Sequence, residues 1–231
     1  MRADYSIPAW LTVRRWLLKS IVKGLFYLLF RIKISGMEKI PVGTPYVIAG
    51  NHVSHFEPPF MMSFWPELSE AVAGHDVWDR KFTGMFVAGY AAIPVKRGEY
   101  DRKVLETMVG VLRAGKSLLI YPEGGRSHTP GMRRAYPGIA YVVDQTHVPV
   151  LPVAVLGTRN DSLLQGLRFS RPTLEMRIGD LFMLPPVTGK GEEKRAARQR
   201  NADEVMLRIA SMLPEEYHGV YAGQVVDYPD S

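Results

Sequence analysis

The chain alternates short apolar runs with longer amphipathic stretches. The runs too short for helices read as buried strands: PYVIAG (45–50), EAVAG (70–74), AIPVK (92–96), SLLIYPEG with its exit loop (117–124), VPVLPVAVL (148–156) and TLEMRIG (173–179). The stretches between them predict helices over 58–65, 78–90, 101–114, 136–146 and 192–213. Pro58 suits the first helical position, because its missing N–H costs nothing there, and that puts Glu57 at the N-cap. Asp101 caps its helix and Gly115 ends it. Pro149 and Pro152 cannot donate to a ladder, so 148–156 is expected at a sheet edge or with a bent entry. Strands alternating with helices predict an α/β fold: a largely parallel sheet covered by helices on both faces.

Residues 10–33, WLTVRRWLLKSIVKGLFYLLFRIK, follow a different rule. Arg15, Lys19 and Lys23 recur every fourth residue, which on a helix makes one basic stripe. Trp16, Leu17, Ile21, Leu25, Phe26, Leu28 and Leu29 cover the rest. The longest charge-free part, Gly24 to Phe30, is far short of the roughly 20 residues that span a bilayer. Such a pattern predicts an N-terminal amphipathic helix lying in a membrane interface. A surface helix packed on the domain is the alternative. Three parts follow: an N-terminal membrane-associating helix (1–35), a catalytic domain (36–214) and a loosely ordered tail (215–231).

Composition narrows the chemistry. A chain of 231 residues can bury a proper core as one large domain. A net charge of +6 and a pI near 9.5 suit an anionic partner, whether phospholipid surface, phosphorylated substrate or nucleic acid. The absence of cysteine removes disulfides, thiolate nucleophiles and Cys–zinc sites, and fits a reducing compartment. No signal-peptide pattern opens the chain. Nucleic acid is not the expected partner, because no recognised binding module or aromatic-interleaved basic patch is present. The spacing of His52, His55, His75 and His128 matches no familiar metal pattern, so neither metal nor cofactor is expected.

In parallel sheets ligands gather at the C-terminal ends of the strands. Here those ends carry His52, Glu57, Lys96, Arg97, Glu123 and Arg126. In NHVSHFEPP (51–59) a carboxylate behind the imidazole would fix its tautomer and stabilise the imidazolium formed on proton abstraction. The structural alternative is that His52 ends the strand and Glu57 caps the helix. There is no Gly-x-Ser-x-Gly elbow and no cysteine, so a nucleophile would be a hydroxyl or amine of the substrate. In YPEGGRS (121–127), Gly124 and Gly125 allow close backbone approach to a ligand, and Arg126 offers a fork for phosphate or carboxylate. Glu123 would accept from a substrate hydroxyl, or hold Arg126 or His52. The adjacent cations Lys96 and Arg97 suit a phosphate.

Taken in order, NHVSHFEPP (51–59), IPVKRG (93–98), YPEGGRS (121–127) and VPVLPVAV (148–155) resemble the glycerolipid acyltransferase family, of the 1-acylglycerol-3-phosphate acyltransferase type. That family carries an N-H-x-x-x-x-D block, a strand exit ending in arginine, a Pro-Glu-Gly-Thr-Arg block and a Val-Pro-x-x-Pro-Val block. The resemblance covers roughly residues 36 to 185. It implies transfer of an acyl group from acyl-CoA or acyl carrier protein to a lysophospholipid hydroxyl. By the resemblance, His52 is the general base, Glu57 stands for the orienting aspartate, and Lys96 with Arg97 bind the acceptor's phosphate. Glu123, Gly124, Gly125 and Arg126 fall in the acceptor-binding block. It also implies a peripheral membrane protein, here expected on the cytoplasmic face. A non-enzymatic module binding anionic lipid is the alternative. Two positions depart from the pattern. Glu57 is longer than aspartate by roughly 1.5 Å, and Gly125 replaces a threonine.

Overall fold

A computed structural model describes residues 5–96, 101–127, 131–158, 161–226 and 228. It opens with α1 (Ala9–Leu29), which leads directly into β1 (Arg31–Ser35). The chain then runs through β2 (Val47–Gly50), α2 (Glu57–Phe64), β3 (Glu70–Gly74), α3 (Lys81–Tyr90), β4 (Ile93–Val95), α4 (Arg102–Arg113), β5 (Leu118–Ile120) and α5 (Gly138–Thr146). It ends with β6 (Val150–Leu156), α6 (Ser162–Leu167), β7 (Thr173–Ile178) and α7 (Gly191–Ala210). The strands form one seven-stranded sheet in the order β1-β7-β6-β2-β5-β3-β4. All neighbours pair in parallel except β6 and β7.

Alternation along the central strands builds two cores. Val47 and Ala49 of β2, Leu118 and Ile120 of β5, and Val150 and Ala154 of β6 face α4, α5 and α7. Ile48, Leu119, Leu151, Val153 and Val155 face the opposite way, against Phe26 of α1, Phe60 and Phe64 of α2, and Tyr90. The sheet is therefore covered on both faces, as the pattern predicts.

Four features differ from the sequence expectations. First, the stretch 10–33 is a helix followed by a strand. RIKIS joins the sheet beside β7 rather than continuing α1.

Second, α1 turns its basic stripe inward. Arg15 is 1% exposed, and its guanidinium makes a fork with Glu70 at the start of β3 (2.6 and 2.9 Å) while Nε donates to the Tyr90 carbonyl (2.6 Å). Lys19 is buried too and donates to the Trp65 carbonyl. The outward face is apolar instead: Trp10, Val13, Leu17, Ile21, Leu25 and Leu28, spaced three or four apart, are all exposed. The stripe reads as a solvent face only while Glu70 is out of sight.

Third, β6 lies inside the sheet between β7 and β2. Pro152 is tolerated because its β7-facing side lies beyond the β6–β7 ladder, where its carbonyl accepts from Gly179 N–H (2.9 Å). Fourth, the chain after Pro214 docks back on the domain. Tyr217 and Tyr221 are buried, and the Tyr221 hydroxyl donates to Asp203 (2.8 Å) and accepts from Ala135 N–H (2.9 Å).

Candidate active site

β2 and β5 are adjacent and parallel, so their C-terminal ends deliver His52 and Glu123 side by side. Asn51 fixes the height of the first. Its side-chain amide takes both backbone groups of Val155 on β6 (3.0 and 2.8 Å), extending the pairing past the end of β2. His52 follows, 6% exposed, with its ring stacked on Tyr121 (centroids 4.4 Å apart, planes at 27°). Gly50 leaves the space for this: a Cβ there would sit 3.2 Å from the Tyr121 ring.

The imidazole Nδ1 lies 2.8 Å from Glu57 Oε2, and Glu57 is fully buried. Nε2 has no partner among the described residues and is left for the cleft that His52 lines. Glu57 is the first residue of α2, one position inside the N-cap Phe56, where the helix dipole favours its charge. Its carboxylate also accepts from Ser54 N–H (2.9 Å to each oxygen) and from the Thr158 hydroxyl. Ser54 Oγ in turn accepts from Phe56 N–H (3.0 Å). The segment SHFE thus closes like a capping box, in which a glutamate reaches back to the amide three residues earlier. At the position where the resembling family has aspartate, the Glu57 side chain reaches the imidazole at 2.8 Å.

Glu123 stands behind this pair. It is fully buried, with Oε1 accepting from His52 N–H and Oε2 from Arg133 N–H, both at 2.7 Å. Burial pushes its carboxyl up to about 7, against the pull of those two amides. Of the roles open in the sequence, this is the brace for His52. Each oxygen takes one backbone amide, which ties the exit of β2 to the loop after β5. The next residues turn back sharply. Gly124 has φ +64°, and a Cβ on it would meet the Tyr136 ring at 2.7 Å. Gly124 and Gly125 line the cleft with His52, and Arg126 is half-buried on the same loop. Lys96 is exposed at the end of β4, three strands from β2, or about 14 Å of sheet at ordinary strand spacing. Arg97 lies outside the described residues.

The cleft runs from His52 between α2 and α3. Its walls are apolar: Pro58, Met62, Ala71, Val87, Phe86 and Tyr90 among them. Sequence reading missed Asn51, Ser54, Tyr121 and Thr158. Ser54 was detectable as the first residue of a Ser-x-x-Glu pattern. Thr158 was marked only by being polar just past an apolar strand at the same rim.

The family model described as Acyltransferase matches residues 31–156. The 1-acyl-sn-glycerol-3-phosphate acyltransferase alpha of Mus musculus is 26% identical over 165 residues, 70% of this chain and 56% of that protein. The 1-acyl-sn-glycerol-3-phosphate acyltransferase of Borreliella burgdorferi is 25% identical over 132 residues, 56% of this chain and 53% of that one. The chain thus spans little more than half the length of these relatives. The crystal structure of the 1-acyl-sn-glycerophosphate (LPA) acyltransferase PlsC from Thermotoga maritima superposes with a TM-score of 0.59 at 20% identity, covering 83% of this chain and 80% of that one. The shared fold is the content of that last likeness.

Proposed function

The chain belongs to the Acyltransferase family, and on that premise we propose that it moves an acyl group from an acyl thioester to the hydroxyl of a lysophospholipid, foremost 1-acylglycerol-3-phosphate. The observation that carries this reading is a buried Glu57–His52 pair whose second imidazole nitrogen opens on an apolar cleft. The relatives' names supply the acceptor.

The geometry supports the following steps. His52 Nε2 takes the proton from the acceptor hydroxyl while Glu57 holds Nδ1–H and stabilises the imidazolium. The acceptor oxygen attacks the thioester carbon. The tetrahedral intermediate collapses, the C–S bond breaks, and His52 returns the proton to the departing thiolate. The N–H of Gly124 is already donated to the Tyr121 carbonyl (3.0 Å). The N–H of Gly125, which has no partner among the described residues, is the donor we assign to the developing oxyanion. The acyl chain enters the apolar cleft. Arg126, with Lys96 and Arg97, supplies positive charge for the acceptor's phosphate. The exposed apolar face of α1 rests in the lipid interface, which makes this a peripheral membrane enzyme.

The test is thiol release from acyl-CoA, and separately from acyl carrier protein, with lysophosphatidate as acceptor. His52→Ala should abolish turnover. Glu57→Gln should lower it by about two to four orders of magnitude, and Glu57→Asp should retain part of it. Undiminished transfer in His52→Ala would overturn the mechanism. Vesicle binding without any thioester consumption would instead support a lipid-binding module.

A further inference from the structure

Thr158 lies outside all four sequence blocks that mark the site, yet it is fully buried and its hydroxyl donates to Glu57 Oε1. We propose that Thr158 is a positioning residue: it holds the Glu57 carboxylate at the angle that presents Oε2 to His52. The proposal rests on the reading of His52 as the base.

The placement of the hydroxyl is built by the fold. Asn51 locks Val155 of β6 to the end of β2, three residues before Thr158. Gly157 then turns the chain at φ +79°, where a Cβ would lie 2.2 Å from the Thr173 carbonyl, so the turn requires glycine. Ser162 Oγ donates to the Gly157 carbonyl (2.6 Å) and pins the turn from the other side. The strand-exit loop therefore delivers Thr158 to Oε1 of Glu57, the oxygen that His52 does not use.

Each oxygen of Glu57 then has a defined job. Oε2 receives Nδ1–H of His52, and Oε1 receives the Thr158 hydroxyl. The Ser54 amide lies 2.9 Å from both, so it fixes where the carboxylate sits without choosing its twist. Thr158 makes that choice. A glutamate has one more side-chain torsion than an aspartate, so it needs a second anchor to hold a single orientation. Thr158 is that anchor.

The experiment compares Thr158→Val, Thr158→Ala and Thr158→Ser in the transferase assay. Valine keeps the branched shape and removes the donor. A hydrogen bond to a charged group is at stake, so kcat should fall roughly ten- to a hundredfold with KM within about twofold, while serine restores most of it. In a Glu57→Asp background the shorter acid does not reach Thr158, so Thr158→Val should then cost less than about twofold. The Nδ1 proton resonance of His52, read by NMR, should be sharp in the native protein and in Thr158→Ser, and broadened in Thr158→Val and Thr158→Ala. Additive losses in the double variant, or an unchanged kcat and resonance in Thr158→Val, would overturn the proposal. If the native protein shows no transfer at all, the functional reading fails on its own, and the resonance alone decides the role of Thr158. Thermal melting separates a folding defect from either result.

Discussion

Burial pushes the Glu123 carboxyl up to about 7 from an ordinary value of 4.5, although amides of His52 and Arg133 draw it down. Between those two values the folded protein binds a proton that the unfolded chain has released. Stability therefore falls as pH rises from about 4.5 to 7 and is level above that, by roughly 3 kcal/mol at most from this group. Melting temperatures from pH 5 to 8 should decline with this slope in the native protein and lose it in Glu123→Gln. At this scale the sequence was legible where partners are close along the chain. His52 and Glu57 are five residues apart and share one loop, so their pairing could be read from Pro58 and the strand end. Thr158 meets Glu57 across 101 residues, and no local pattern encodes that contact. Glu123 was recognisable as a site residue, but whether it faced substrate or the His52 backbone depends on the packing of β2 against β5.

Helix α1 teaches the opposite lesson at the scale of an element. Its periodicity is read correctly and its inner face wrongly. Three cations on one stripe look solvated, yet two of them enter the protein because Glu70 and the carbonyls of Tyr90 and Trp65 wait there. Removing one member of such a buried ion pair leaves the other charge without compensation. Arg15→Met should cost about 3–5 kcal/mol, and the double change Arg15→Met with Glu70→Leu should recover most of it. Chemical denaturation of Arg15→Met, Glu70→Leu and the double variant checks this. An additive double variant would mean the two residues do not depend on each other. The strand β1 was hidden for a related reason. RIKIS alternates charge and apolar residues as an edge strand does, but it follows α1 so closely that it extends the apparent helix. Strands β2, β5 and β6 were plain because they are buried on both faces and so lack polar interruptions.

In the whole molecule the α/β layering follows from the order of elements, whereas the direction of β7 does not. Nothing in TLEMRIG says that it runs against β6, since its apolar–polar alternation reads alike in either direction. The apolar face that α1 leaves uncovered is likewise a property of the assembled fold. Among the described residues no helix is long and apolar enough to cross a membrane. On the proposed interfacial reading, Leu17→Asp and Ile21→Asp should each lower binding to phospholipid vesicles at least about tenfold while leaving the melting temperature near that of the native protein. Flotation assays give the answer, and unchanged flotation would remove α1 from the membrane contact.

The reversed direction of β7, and of β1 beside it, has one more consequence. Arg31 pairs with Thr173, and Thr173 lies against Gly157 at the exit of β6. The final turn of α1 therefore ends beside the strand exits that carry Thr158 and Glu57, and Arg171 ties the two regions together through the Tyr27 carbonyl (3.0 Å). On the proposed function and with α1 in the lipid, a lysolipid would reach His52 by lateral diffusion within one leaflet, never crossing the aqueous phase. Turnover would then follow the mole fraction of acceptor in the surface: diluting it with inert lipid at constant bulk concentration slows the enzyme, and adding more vesicles of the same composition does not speed it once all protein is bound.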